Sequence, residues 1–207
     1  RPARPPRWEK EGVEAVTVFL SLFQTALAAL TVENLFFPNG LGFSRILRSA
    51  RKPRHRVWYA VFVFVFSALS LETALLLPPQ LFPAAWRAVL RPASLAVCSA
   101  VFYCLAALVL SRCLPRFYGR HGAVLAPAAL NTVVLALPQA PLALSLGPAQ
   151  GLAFAAGSAL AFYLGSLVFT PIYRRCRSQD TPAAFRGLPA ALLAVGLLSL
   201  AFFGFAP

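Results

Sequence analysis

The sequence predicts an all-α membrane protein of six transmembrane helices, arranged as two inverted three-helix repeats. Three observations carry this reading. Of the 207 residues, 59% are hydrophobic and 12% charged, with a mean hydropathy of +0.71. Apolar runs recur near the length that crosses a bilayer, and Lys and Arg gather in alternate connections between those runs. An ordinary soluble chain is about 45–50% apolar and about 25% charged, and one core of this size cannot bury such an excess.

The net charge is +13, from 19 basic and 6 acidic residues. The basic residues lie between apolar runs rather than along one polar face. That pattern suits a membrane surface and argues against nucleic acid as a partner.

A helix needs about 20 mostly apolar residues to span the hydrocarbon layer. Six segments meet or approach this: Ala15 to about Phe43, Trp58 to Leu77, Ala93 to Ser111, Gly122 to Pro138, Gly151 to Ile172, and Gly187 to Ala206. The chain starts at Arg1 and holds no Met, so its natural start is expected to have been trimmed. The first run follows a Pro/Arg tail and no small-residue cleavage site follows it, which reads as a retained span rather than a signal peptide. The second, third, fifth and sixth segments read as simple helices, whose backbones satisfy their own hydrogen bonds.

The first and fourth segments are predicted to be broken. The first continues through Glu33 to Ser44 as ENLFFPNGLGFS, with Pro38, Gly40 and Gly42 close together; the fourth carries Pro127 and Asn131. Proline removes a backbone donor and glycine weakens a helix, and broken backbone at membrane depth must be covered by protein or line a cavity. Interrupted spans at matching positions of two halves point to a site between inverted repeats; the rival reading is a kinked packed helix and an early helix end. The whole chain, 1–207, is then one transmembrane domain, with repeat one at about 13–111 and repeat two at about 112–207. Three spans per half make the halves antiparallel.

Charge sets the orientation. Thirteen basic residues fall in three connections: six from Arg45 to Arg56, then Arg112, Arg116 and Arg120, then Arg174, Arg175, Arg177 and Arg186. Six fall on the other side, as Arg87, Arg91 and the N-terminal Arg1, Arg4, Arg7 and Lys10. Positive-inside counting places both termini outside.

Charged groups inside spans cost about 2.5–3.5 kcal/mol each at mid-membrane, so the few polar residues there are candidates. Glu33, Asn34, Asn131 and Thr132 would form a polar constellation between the halves, with Ser44 closing the first broken segment. The competing reading has Glu33 and Glu72 snorkelling or capping and Asn131 joining helices. No Gly-rich phosphate loop, carboxylate pair or histidine cluster is apparent, and no catalytic or metal-ligating residue is expected. His55 and His121 fall in basic loops, where solvation is the default. Cys98, Cys104, Cys113 and Cys176 form no C-x-x-C pair and read as small buried thiols.

Three stretches resemble the RnfA/NqrE family. From Asp180 to Phe205, DTPAAFRGLPAALLAVGLLSLAFFGF is similar to the family's C-terminal end. From Leu114 to Thr132, Pro115, Tyr118, Gly122, Leu125 and Asn131 fall in register with its Pro-x-x-Tyr loop and the helix that follows. From Val32 to Ser44, Glu33, Asn34, Leu41 and Gly42 match its first broken helix. The resemblance implies a membrane subunit of an ion-translocating electron-transport complex, of the Rnf or Nqr type. Such a subunit is not catalytic alone, sits in the cell (inner) membrane, and pairs with a homologous RnfE/NqrD-like subunit of opposite topology. Each of the two supplies one cysteine from each of its broken helices to a [2Fe-2S] cluster.

Here the two cysteine positions hold Ser44 and Thr132, and an acidic residue of the third span is replaced at Ala107. Clusters of this kind require thiolate ligands in nearly every case. The expectation is therefore a diverged subunit that keeps the scaffold and holds no cluster of its own. The alternatives are an ion or small-solute transporter, in which hydroxyl and amide oxygens would suit a hard cation, or a structural assembly subunit.

Overall fold

A computed structural model of the chain describes residues 7–30, 55–140, 142–177 and 182–203. Among the described residues all regular structure is helical: α1 (Arg7–Leu30), α2 (Arg56–Leu76), α3 (Arg87–Cys113), α4 (Pro115–Ala129), α5 (Thr132–Ala136), α6 (Pro148–Arg175) and α7 (Leu188–Phe203). Short 3-10 turns lie at Pro79–Leu81, Leu137–Gln139 and Leu142–Ser145.

Helices α2, α3 and α6 are each long and apolar enough to cross a bilayer, and α4, α5 and the following turn make a fourth span bent by 41°. The chain is thus a multi-pass membrane protein. The apolar parts of the outer two helices are shorter, Val16–Leu30 and Leu188–Ala201. The expected break in the first span, with Glu33, Asn34 and Ser44, lies outside the described residues.

Two boundaries differ from the sequence reading for one reason. Proline is favoured at the first helical position, where its missing N–H costs nothing and its φ already suits the helix. Pro115 starts α4 and Pro148 starts α6. The connection expected between the third and fourth spans therefore shrinks to Leu114, and Arg116 and Arg120 ride on α4 instead of a loop.

Helix α2 is the hub. It packs against α3, α4, α5 and α6, while α6 also carries α1 and touches α7. Tyr59, Val63 and Phe66 of α2 are buried with Leu125 and Ala128 of α4 and Phe162 of α6. The rings of Tyr59 and Phe162 stack at 5.1 Å. Lipid tails are as apolar as leucine, so close packing rather than water exclusion holds such helices together, and small residues permit it. At Gly157 of α6 a Cβ would overlap the carbonyl oxygen of Ala26 and stand 2.9 Å from Ala29 Cβ. Glycine is what lets α1 sit against α6.

Candidate functional site: the broken fourth span

The break falls at Leu130–Asn131, three residues past the proline expected to cause it. Pro127 stays inside α4. The amide of Asn131 donates to Ala128 O at 3.3 Å and so does not supply the i+4 bond that Pro127 O would otherwise receive. The Tyr59 hydroxyl donates to that carbonyl instead, at 2.8 Å. Asn131 then turns extended (φ −79°, ψ 135°) and caps the next segment, its side chain accepting from Val133 N at 3.3 Å. An Asn N-cap satisfies a donor that the helix start leaves orphaned, so the chain restarts as α5 after two residues.

Asn131 is fully buried, and its Nδ2 meets no hydrogen-bond partner. Thr132 is exposed at the first position of α5. The two neighbouring candidates therefore point to different environments, one into the bundle and one out of it. On the helices that pack against α5, the hydroxyls of Ser67 and Ser70 on α2 and Ser99 on α3 are buried and bond to no protein atom. Helices α2, α3 and α5 pack on one another, so these groups lie along mutually packed elements. An unpaired buried polar group costs on the order of 1–3 kcal/mol, and the bundle carries several.

Arg91 was missed by the sequence reading, which counted it among the loop cations outside the membrane. Helix α3 begins at Arg87 rather than near Ala93, and Arg91 is buried on it in a stripe with Leu95 and Ser99. Its guanidinium donates to Gln139 Oε1 at 3.2 Å, and at 3.5 Å to Pro138 O and Leu77 O. Leu77 caps the end of α2, and Pro138 lies in the turn that ends the bent span. Helix C-termini carry partial negative charge, so one cation joins two such ends. The four-residue steps from Arg91 to Leu95 and Ser99 were the available signal.

Glu72 Oε1 is buried without a hydrogen bond. It lies beside the first turns of α6, 3.7 Å from where a Gly151 Cβ would stand. The positive end of that helix favours a carboxylate nearby, but the amide at the start of α6 is served by Gln150 Oε1 at 3.3 Å and not by Glu72.

Two further readings are corrected. His55 and His121 are not solvated loop residues: His121 is buried on α4, and its Nδ1 lies 3.3 Å from Nδ1 of half-buried His55. The four cysteines are free, but Cys104 and Cys113 are exposed and Cys98 and Cys176 half-buried, so none is a fully buried core thiol. Among the described residues no three His, Cys, Asp or Glu side chains gather to hold a metal.

The sequence profile of the family described as Rnf-Nqr subunit, membrane protein, matches residues 22–207. Curated relatives carry the name of one subunit of an ion-translocating oxidoreductase complex. The relative from Serratia proteamaculans is 30% identical over 165 residues, 80% of this chain and 82% of that protein. The protein of the same name from Actinobacillus pleuropneumoniae is 27% identical over 165 residues, with the same shares. That from Syntrophotalea carbinolica is 36% identical over 99 residues, a match spanning 48% of this chain and 51% of the relative's length.

Proposed function

Since the chain belongs to the Rnf-Nqr family of membrane subunits, we propose that it works as the RnfA/NqrE-like subunit of an ion-translocating electron-transport complex, paired with a homologous partner and without cluster ligands of its own. The carrying observation is the broken fourth span, with Asn131 at the break and Thr132 just beyond it. That is the position at which the family resemblance puts a ligand-bearing broken helix. The transporter and assembly readings draw no support from relatives that are named as oxidoreductase subunits.

The reading includes a six-span inverted repeat, for which part of the packing speaks, and, from the charge of the connections alone, both termini outside the cell membrane. Under that scheme α1 and the bent span are the first spans of the two halves, and α2 and α6 are the second. Helices α2 and α6 pack on each other, and each packs on the first span of the other half: α1 on α6, α4 on α2. A two-fold relation in the membrane plane requires this reciprocity; the third spans do not repeat it, since α3 packs closely on α4 whereas α7 makes no comparable contact with α1 among the described residues.

The donor set at the break does not fit a [2Fe-2S] cluster. Thr132 offers a hydroxyl that keeps its proton, whereas such clusters take thiolates. The cysteines of the chain stand elsewhere, three on α3 and one at the end of α6. The exposure of Thr132 suits a surface turned toward a partner. Iron and acid-labile sulfide measured on the purified chain test the reading. Neither is expected above background; both at equal, stoichiometric amounts would overturn it.

A further inference from the structure

At the end of the bundle where α2 starts and α6 finishes, the chain brings together its only two histidines, 66 positions apart in sequence. We propose that His55 and His121 form a two-ligand site for a divalent transition-metal ion of the zinc or nickel class, bound through the two Nδ1 atoms. Those atoms are 3.3 Å apart. Two imidazole nitrogens at about 2.0–2.1 Å from one tetrahedral ion stand about 3.3–3.4 Å from each other, so the pair already has the spacing that such an ion imposes. The rings meet edge-on at 78°, with centroids 5.3 Å apart.

The setting holds this arrangement in place. His55 is the residue before α2, and His121 lies on α4, which packs on α2. Trp58 and Phe117 flank His121 at 5.2 Å and 4.8 Å, and pack on each other at 4.7 Å. The nearest basic residue on α2, Arg56, is engaged elsewhere, donating to Thr170 Oγ1 at 2.7 Å. No third His, Cys, Asp or Glu joins among the described residues, so water or a donor from a bound partner completes the coordination. Imidazole nitrogen suits zinc, nickel and copper better than the hard cations sodium or magnesium.

The proton balance is simple. Without metal, two neutral rings tolerate this contact when one Nδ1–H donates to the other Nδ1. On binding, that proton moves to Nε2 of its own ring and the ion takes its place between the rings. At neutral pH no proton is lost, and in acid solution protons compete with the ion for the ring nitrogens.

The test uses the full chain, made without a histidine tag, in detergent or liposomes. Ni2+ is titrated with tryptophan fluorescence as the readout, since Trp58 adjoins the pair, and Zn2+ is titrated by calorimetry. Saturable binding near one ion per chain is expected, weakened at least tenfold in His55→Gln and in His121→Gln. A variant with all four cysteines changed to serine should bind as the wild type does. Equal binding in the histidine variants, binding lost with the cysteines, or none in the wild type at millimolar ion would each overturn the proposal. Should the histidine variants fold poorly, diethyl pyrocarbonate labelling of the wild type decides: Zn2+ should protect both histidines together, and unprotected labelling of either contradicts the site.

Discussion

Helices α3 and α6 are near equals in length, and α3 carries the more hydrophobic stretch, yet 11% of that stretch is buried in α3 against 56% in α6. Helix α6 is built from small residues where it is buried, among them Gly151, Ala155, Gly157, Ala159 and Gly165. Helix α3 presents Val97, Val101, Leu105 and Leu108 outward and buries a single stripe. In water the more apolar helix would be drawn inside. In lipid that preference vanishes and the interior goes to whichever helix lets backbones approach. Hydropathy thus finds the spans, and residue size tells which of them lie at the centre.

The sharpest way to break this contrast is to enlarge a glycine in each class of helix. Gly157→Val should destabilise the fold by about 3 kcal/mol or more, at the upper end of overpacking costs, because α1 must move off α6. Gly196→Ala in α7, where a Cβ would meet nothing within 4 Å, should leave stability unchanged or raise it by up to about 1 kcal/mol. Reversible unfolding in mixed micelles measures both, and equal losses would refute the division between central and peripheral helices.

The next effect belongs to buried charge. Arg91→Met should cost about 2–3 kcal/mol, the scale of hydrogen bonds to a charged donor, and loosen the turn at Leu137–Gln139. Exposed Arg87 on the same helix should tolerate replacement by Gln with a change below about 0.5 kcal/mol. Hydrogen exchange of the Leu137–Gln139 amides would report the loosening, and unchanged protection in the Met variant would count against the tie between helix ends.

A smaller loss is expected where the break is stitched. Tyr59→Phe removes the donor to Pro127 O and should cost about 1 kcal/mol, read by the same unfolding assay; no change would mean that this carbonyl finds another donor. Smallest of all is Leu197→Ala. This side chain is 69% exposed, and its lipid-facing contacts should make the change worth less than about 0.5 kcal/mol. A loss above 2 kcal/mol would place α7 in the interior or under a partner.

Much of this was legible in the sequence, because a span is a matter of length and hydropathy. The second, third and fifth spans fall on α2, α3 and α6, and α3 and α6 run further than their expected apolar stretches. The early starts of α4 and α6 were not visible, since Pro115 and Pro148 read as loop residues until they are seen to begin helices. The break in the fourth span was legible, but its cause was misplaced. Pro127 stays inside α4; Asn131 does the breaking by capping α5, and the carbonyl that this break orphans, that of Pro127, is served by Tyr59, 68 residues earlier. Arg91 and the His55–His121 pair were not legible for a related reason. Each depends on contacts between distant segments, and the local pattern around an arginine or histidine near a span end is the same whether it faces solvent or protein.

Membership of a two-subunit membrane core, within an ion-translocating electron-transport complex, is the claim on which the rest depends. Isolation of the native protein in mild detergent, followed by quantitative mass spectrometry of the co-purifying membrane proteins, tests it most directly. The predicted result is a second protein of the same family, present in equal amount and released only when the detergent denatures the pair. A chain that purifies at full yield as a monomer, or in a stable complex that contains no homologous membrane subunit, would contradict it.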